Sequence, residues 1–183
     1  MTAPVIHLCG WPGSGKATIG RCLAAALGGR LIDNHLMLDP ASALFDRSDP
    51  RHARLREGLR RAIYDAARGL PEDVALVVTD ALAETERDRQ LFAPTEALAQ
   101  ARGAPLLAVT LAISPEENLR RLTDPPRQAR SKLTDPDVLT SLRADHRLLR
   151  PAGAITVDVT DLSAEEAATA ILGALSLQRA TDA

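Results

Sequence analysis

Gly10-Trp11-Pro12-Gly13-Ser14-Gly15-Lys16-Ala17-Thr18 is the stretch on which the reading of this 183-residue chain turns. The apolar run 5–9, Val-Ile-His-Leu-Cys, precedes it and reads as a buried strand. Residues 17–27 follow it and read as a helix. A strand, a glycine-rich turn carrying a lysine, and a helix form a phosphate-binding loop. Glycine is needed because successive backbone N–H groups must converge on one anion, and side chains would block that approach. The helix N-terminus adds unpaired donors and a favourable dipole. Lys16 adds a mobile point charge for the outer phosphates. The expected nucleotide contacts are therefore Gly10, Trp11, Pro12, Gly13, Ser14, Gly15, Lys16, Ala17 and Thr18.

One position breaks the pattern. The motif places Ser or Thr directly after the lysine, where its hydroxyl binds Mg²⁺, but here that residue is Ala17. Thr18 stands one residue further, and one helical residue turns a side chain by about 100 degrees. Thr18 therefore does not simply replace the missing ligand.

Composition sets the outer bounds. Hydrophobic residues make up 45% of the chain and charged residues 25%, as in a globular protein of one domain. With 2% aromatic residues, the core must be aliphatic. A formal net charge of −2 gives no global field for nucleic acid. No run of about 18 apolar residues suggests a membrane span, and no charged-then-apolar leader opens the chain. These features lead us to expect a cytoplasmic protein with no nucleic-acid or membrane partner and an open oligomeric state. Cys9 and Cys22 read as reduced core residues.

Along the chain, apolar runs alternate with helical stretches. Strands are expected at 5–9, 30–33, 74–79, 106–113 and 154–159. Helices are expected at 17–27, 41–45, 51–68, 84–102 (with a possible break at Pro94), 115–122, 136–150 and 164–177. Pro115 and Pro136 each suit a first helical position, and Ser163 with Glu166 forms a capping box. The polar segment 123–131 reads as a loop. This alternation implies an α/β fold with parallel strands and right-handed crossovers. Ligands then sit beyond the C-terminal strand ends, where the phosphate loop, Asp33-Asn34-His35 and Asp80 all fall.

With these residues placed, the chain resembles the small P-loop kinases of the nucleoside-monophosphate-kinase and shikimate-kinase type over nearly its whole length. Gluconate kinases and chloramphenicol phosphotransferases belong to the same group. The resemblance rests on Gly10 to Lys16, on Asp33 after the second strand, on an arginine-bearing lid, and on a turn after the fifth strand. It implies a three-layer P-loop sandwich with strand order 2-3-1-4-5. It also implies ATP as phosphoryl donor, Mg²⁺, a small-molecule acceptor, a lid at about 121–134 and an acceptor-binding helical region at about 36–70.

The resemblance assigns roles residue by residue. Asp33 matches the acid that meets the acceptor hydroxyl, although Asp-Asn also suits a turn or helix cap. Arg120 matches the lid arginine that stacks on adenine, and Arg127 the one that meets phosphate, with Arg130 in reserve. Among Arg54, Arg56, Arg60 and Arg61, Arg60 is the choice for holding an acidic acceptor. Asp80 corresponds to the acid that holds Mg²⁺ through water, and with Ala17 in the loop both Asp80 and Asp33 would carry more of the metal. Asp80 and His35 are also candidate acceptor contacts, His35 being equally a local turn residue. Asp158 and Thr160 stand where relatives hold the adenine edge with backbone groups. His7 reads as a core histidine. The activity implied is transfer of the γ-phosphate to a hydroxyl or phosphate of a small molecule. Ala17 motivates the alternative of a nucleotide-binding module with little or no catalysis.

Overall fold

The computed structural model describes residues 2–124 and 133–181, with side chains up to 177. Five strands, β1 (Val5–Cys9), β2 (Arg30–Asp33), β3 (Leu76–Asp80), β4 (Leu106–Ala112) and β5 (Ile155–Asp158), form one parallel sheet in the order β2-β3-β1-β4-β5. Register aligns Cys9 with Asp80 on one side and with Thr110 on the other, so the strands release their chains at one rim of the sheet.

Seven described helices connect them: α1 (Lys16–Ala26), α2 (His35–Leu44), α3 (Pro50–Arg68), α4 (Glu86–Ala101), α5 (Pro115–Leu122), α6 (Pro136–Asp145) and α7 (Ala164–Thr181). Strand side chains alternate between the two faces of the sheet. Ile6, Leu8, Val77 and Val109 therefore face Ile19 and Leu23 of α1 and Ile171 of α7. Val5, Leu76 and Val78 face Tyr64 of α3 and Leu98 of α4. These two aliphatic clusters make the three layers.

Local chemistry sets the helix starts. Asp49 caps α3 by accepting the Arg51 N–H at 2.8 Å, with Pro50 at the first helical position. Ser114 caps α5 in the same way through the Glu117 N–H at 3.2 Å. Ser163 and Glu166 exchange bonds at 3.2 and 2.9 Å as a capping box.

Three elements differ from the sequence expectation. Helix α2 starts six residues early and runs through Pro40, because Met37, Leu38 and Ala41 are buried along its inner face. Packing there outweighs the one backbone bond that Pro40 removes. Helix α4 likewise passes through Pro94 unbroken. Helix α6 stops at Asp145 instead of near 150. Residues 146–150 turn extended and lie along 82–84, with Leu149 N–H bonded to the Leu82 carbonyl at 2.9 Å and Glu84 N–H to the Arg147 carbonyl at 2.8 Å. Leu149 is thereby buried, which a continued helix would not achieve.

Arg102, buried just past α4, donates to the carbonyls of Ala67, Leu70, Pro71 and Val74 at 2.8–3.0 Å. It thus satisfies the carbonyl end of α3 and the loop into β3 with one planar donor set. Arg102→Ala is expected to cost about 2–4 kcal/mol in denaturant unfolding, with Arg102→Lys recovering part of it. A loss below about 0.5 kcal/mol would show that water replaces the guanidinium there.

Candidate active site

The phosphate loop follows β1 and opens α1. Gly13 and Gly15 have φ of 91° and 86°, left-handed values that a side chain would strain. A Cβ on Gly13 would also stand 2.6 Å from Asn118 Nδ2. No side chain caps α1, and no acid occupies its first turn. The N-terminal end of the helix thus faces an anion site with no competing side-chain acceptor. The buried hydroxyl of Ser14 has no protein partner, as expected of a donor held for a ligand.

Neighbouring elements brace this loop. Asn118 of α5 donates to the Pro12 carbonyl at 2.8 Å and accepts from Arg143 of α6 at 2.8 Å. Arg143 also donates to the Ile113 carbonyl at 3.1 Å. The sequence offers no local signal for this bracket, since its members are brought together only by the fold.

Two cavities meet at the loop. The smaller is lined by Gly13, Gly15, Lys16, Ala17, Thr18, Asp33 and His35. The larger, about 600 Å³, is lined by Trp11, Pro12, Lys16, Asn34, His35, Leu38, Arg47, Arg56, Arg87, Leu142 and His146, among others. Lys16 and His35 belong to both and mark their junction. The Lys16 ammonium donates to the Trp11 carbonyl at 3.2 Å.

Asp33 ends β2 in the wall of the smaller cavity. Its Oδ1 accepts from the Thr79 hydroxyl at 2.8 Å and from the His35 N–H at 3.4 Å. Thr79 also accepts the Asn34 N–H at 3.3 Å, so β3 fixes the turn that presents Asp33. His35 Nδ1 lies 2.7 Å from Asp39 Oδ1, one turn along α2. That pairing becomes readable only once α2 is extended back across Pro40.

Asp80 and Arg60 differ from expectation. Neither lines the cavities. Arg60 Nη2 lies 3.1 Å from Asp80 Oδ1, and His7 Nε2 lies 3.4 Å from Asp80 Oδ2. All three are buried, and His7 also packs edge-on against Phe92 at 4.8 Å between centroids. Burial pushes the Asp80 carboxyl up, but His7 and Arg60 outweigh it and hold the group below its ordinary range. Asp80 is thus held in a core charge cluster and lines neither cavity. Arg60 is spent on Asp80 and on the Leu91 carbonyl at 3.2 Å. The α3 arginine that does reach the cavity is Arg56.

On the other side of the loop, Arg120 is exposed and forks onto Glu117 with two contacts of 2.6 Å. Arg121 also meets Glu117 and donates to the carbonyls of Val159 and Thr160 at 2.9 and 2.8 Å. Hydrogen bonds from Arg120 and then Arg121 pull the Glu117 carboxyl down to about 2. Asp158 closes the turn after β5, accepting the Thr160 N–H at 2.9 Å and its hydroxyl at 2.6 Å. Arg127, Arg130 and most of the expected lid lie outside the described residues.

ATP fits this loop by its left-handed glycines, its helix N-terminus, its lysine and its Ser14 hydroxyl, which has no protein partner. Mg²⁺ has fewer protein ligands. Asp33 is the one carboxylate among the described residues lining the smaller cavity. No group of three or more His, Cys, Asp or Glu among the described residues could hold a metal ion. An ion there would depend on phosphate and water oxygens, as Mg²⁺ commonly does. Restoring the missing hydroxyl with Ala17→Ser is therefore expected to tighten Mg²⁺–nucleotide binding by about 1 kcal/mol. Magnesium titrations at fixed nucleotide check this, and superimposable curves would mean that Asp33 already suffices.

A family model described as an AAA domain matches residues 5–149. Among solved structures, a gluconokinase from Sinorhizobium meliloti is similar at 20% identity and a TM-score of 0.62, over 100% of this chain and 98% of that one. A shikimate kinase from Acinetobacter baumannii is similar at 21% identity and a TM-score of 0.62, over 96% and 94%. An APS kinase from Mycobacterium tuberculosis is similar at 17% identity and a TM-score of 0.58, over 96% and 98%. No curated protein matches the sequence. At these identities the structural likeness establishes the fold.

Proposed function

The chain belongs to the AAA-domain family, and from that premise we propose that it is an ATP-dependent phosphotransferase acting on a hydroxyl of a small molecule. The observation that carries this reading is the junction of the two cavities. One has the chemistry of a phosphate site and the clamped Asp33 in its wall, the other has room for an acceptor, and Lys16 and His35 stand between them. Gluconokinase, shikimate kinase and APS kinase share the fold, and their names describe small-molecule kinases.

Phosphoryl transfer needs in-line positioning and charge neutralisation more than covalent help from the protein. The loop amides and Lys16 hold the phosphates and stabilise charge that grows on the leaving side. Asp33, fixed by Thr79, orients the acceptor hydroxyl and takes its proton. The hydroxyl oxygen forms a new bond to the γ-phosphorus as the bond to the β-phosphate bridge breaks, releasing ADP. Bound Mg²⁺ would neutralise the phosphate oxygens, with Asp33 as its protein carboxylate.

The test is magnesium-dependent ADP release across a panel of hydroxylated acceptors. Asp33→Asn is expected to lower kcat by roughly 10²-fold or more with little change in KM for ATP. No acceptor-dependent ADP release with any compound, despite ATP binding, would overturn the reading.

A further inference from the structure

Four apolar side chains pack into none of the core clusters, yet they meet at one place. Trp11 of the phosphate loop, Leu38 of α2, and Val138 and Leu142 of α6 all line the larger cavity. None of them belongs to the three clusters that hold the helices on the sheet. Trp11 is the sole tryptophan in a chain with 2% aromatic residues, and it is half-buried in a loop rather than placed in the core. Helix α6 shows the division most clearly. Its Leu139 is fully buried, while Val138 is 42% exposed. Val138 and Leu142 stand four residues apart and so share one stripe of the helix, and that stripe lines the cavity.

Apolar surface left in water costs free energy in proportion to its area. Folding does not recover that cost here, because the space beside these side chains is a cavity of about 600 Å³. Sites that take drug-sized ligands span roughly 300–1,000 Å³, so the room is enough for a ring beside the reacting group. A ligand with an apolar face recovers the cost. A polyol does not, because each of its hydroxyls needs a hydrogen-bond partner, and a wall of aliphatic and indole groups offers few. The indole also presents a flat face on which a ring can stack. Lys16 and His35 line both cavities, so the reacting hydroxyl has its place beside them.

We propose that the acceptor is an amphipathic alcohol, with its hydroxyl beside Lys16 and His35 and an apolar, ring-sized body against Trp11, Leu38, Val138 and Leu142. As a statement about the acceptor, this rests on the phosphotransferase reading above. The apolar wall as a binding site does not.

Glycerol and its phenyl ether are the probes, the second being the first with a ring attached through one oxygen. Tryptophan fluorescence reads their binding without any turnover, since the one tryptophan lines the cavity. The phenyl ether is expected to bind roughly tenfold more tightly than glycerol or better, and calorimetry should give it a negative heat-capacity change. Val138→Asn should weaken the phenyl ether roughly threefold or more with Tm almost unchanged, whereas Val138→Leu should not weaken it. Leu44→Asn, at an exposed leucine of α2 outside the cavity, should change nothing. If Val138→Asn does not fold, Leu142→Asn makes the same test. Equal affinity for the two probes would overturn the proposal. So would equal losses in Leu44→Asn and Val138→Asn, since the ring would then be held by apolar surface at large. In turnover, kcat/KM should follow the order of binding. Glycerol phosphorylated as efficiently as its phenyl ether would overturn the proposal and keep the phosphotransferase. Val138-dependent binding of the ring, with no ADP release from any acceptor, would refute the phosphotransferase and uphold the apolar wall.

Discussion

Lys16→Ala is expected to lower phosphotransfer by roughly 10³-fold or more while leaving Tm almost unchanged. Both halves follow from where the side chain lies. Lys16 is the first residue of α1 and lines both cavities, so its ammonium stands at the boundary where charge moves during transfer. It is half-buried, and the bond from its Nζ reaches the Trp11 carbonyl inside the same loop. Truncation removes no core packing, and alanine is the best helix former. A preorganised cation in a partly water-excluded site counts for far more in the transition state than a surface charge does in folding. The decisive comparison is kcat against melting temperature in one preparation. Wild-type turnover in Lys16→Ala would remove the phosphotransferase reading.

The alternation of strands and helices and the phosphate loop could be expected from the chain alone, because both are written locally, whereas the strand order followed only from the family resemblance. The loop is contiguous, and its two left-handed glycines are the positions where the motif needs them. The rest of the site depends on residues far apart in sequence. Arg47, Arg56 and Arg87 carry no mutual signal until α2, α3 and α4 are packed. Asn118 and Arg143 brace the loop from two helices. The resemblance singled out Arg60 among the α3 arginines, and Arg60 lines neither cavity at the loop. Arg56 and Arg60 are four apart and thus near the same face. Which one meets the cavity is decided by Asp80, which captures Arg60 from below. The helix boundaries at Pro40 and Arg150 failed for one reason. Burial of Met37 and Leu38 in one case and of Leu149 in the other outweighed local propensity.

The core charge cluster yields the second large effect. Arg60→Met is expected to destabilise the protein by about 3–5 kcal/mol at neutral pH, because it leaves the Asp80 carboxylate buried with its principal cation gone. The pH dependence separates this cause from lost packing. In the present protein His7 and Arg60 hold the Asp80 carboxyl below its ordinary range against the opposing push of burial. A group depressed in the folded state contributes stability above its unfolded value, near pH 4, and loses that contribution as pH falls through the folded value. Without Arg60, burial dominates and the carboxyl shifts the other way, so protonation then favours the folded form. Acidification from pH 7 toward 4 should therefore leave the Asp80 contribution of the parent in place and relieve the variant, so the gap between them should narrow. Asp80→Asn combined with Arg60→Met should recover part of the loss at neutral pH, since the charge itself is removed. Urea unfolding of the three proteins across that pH range measures both effects. A gap that stays constant with pH would assign the loss to the Arg60 side chain's contacts with Tyr64 and the Leu91 carbonyl rather than to the stranded charge.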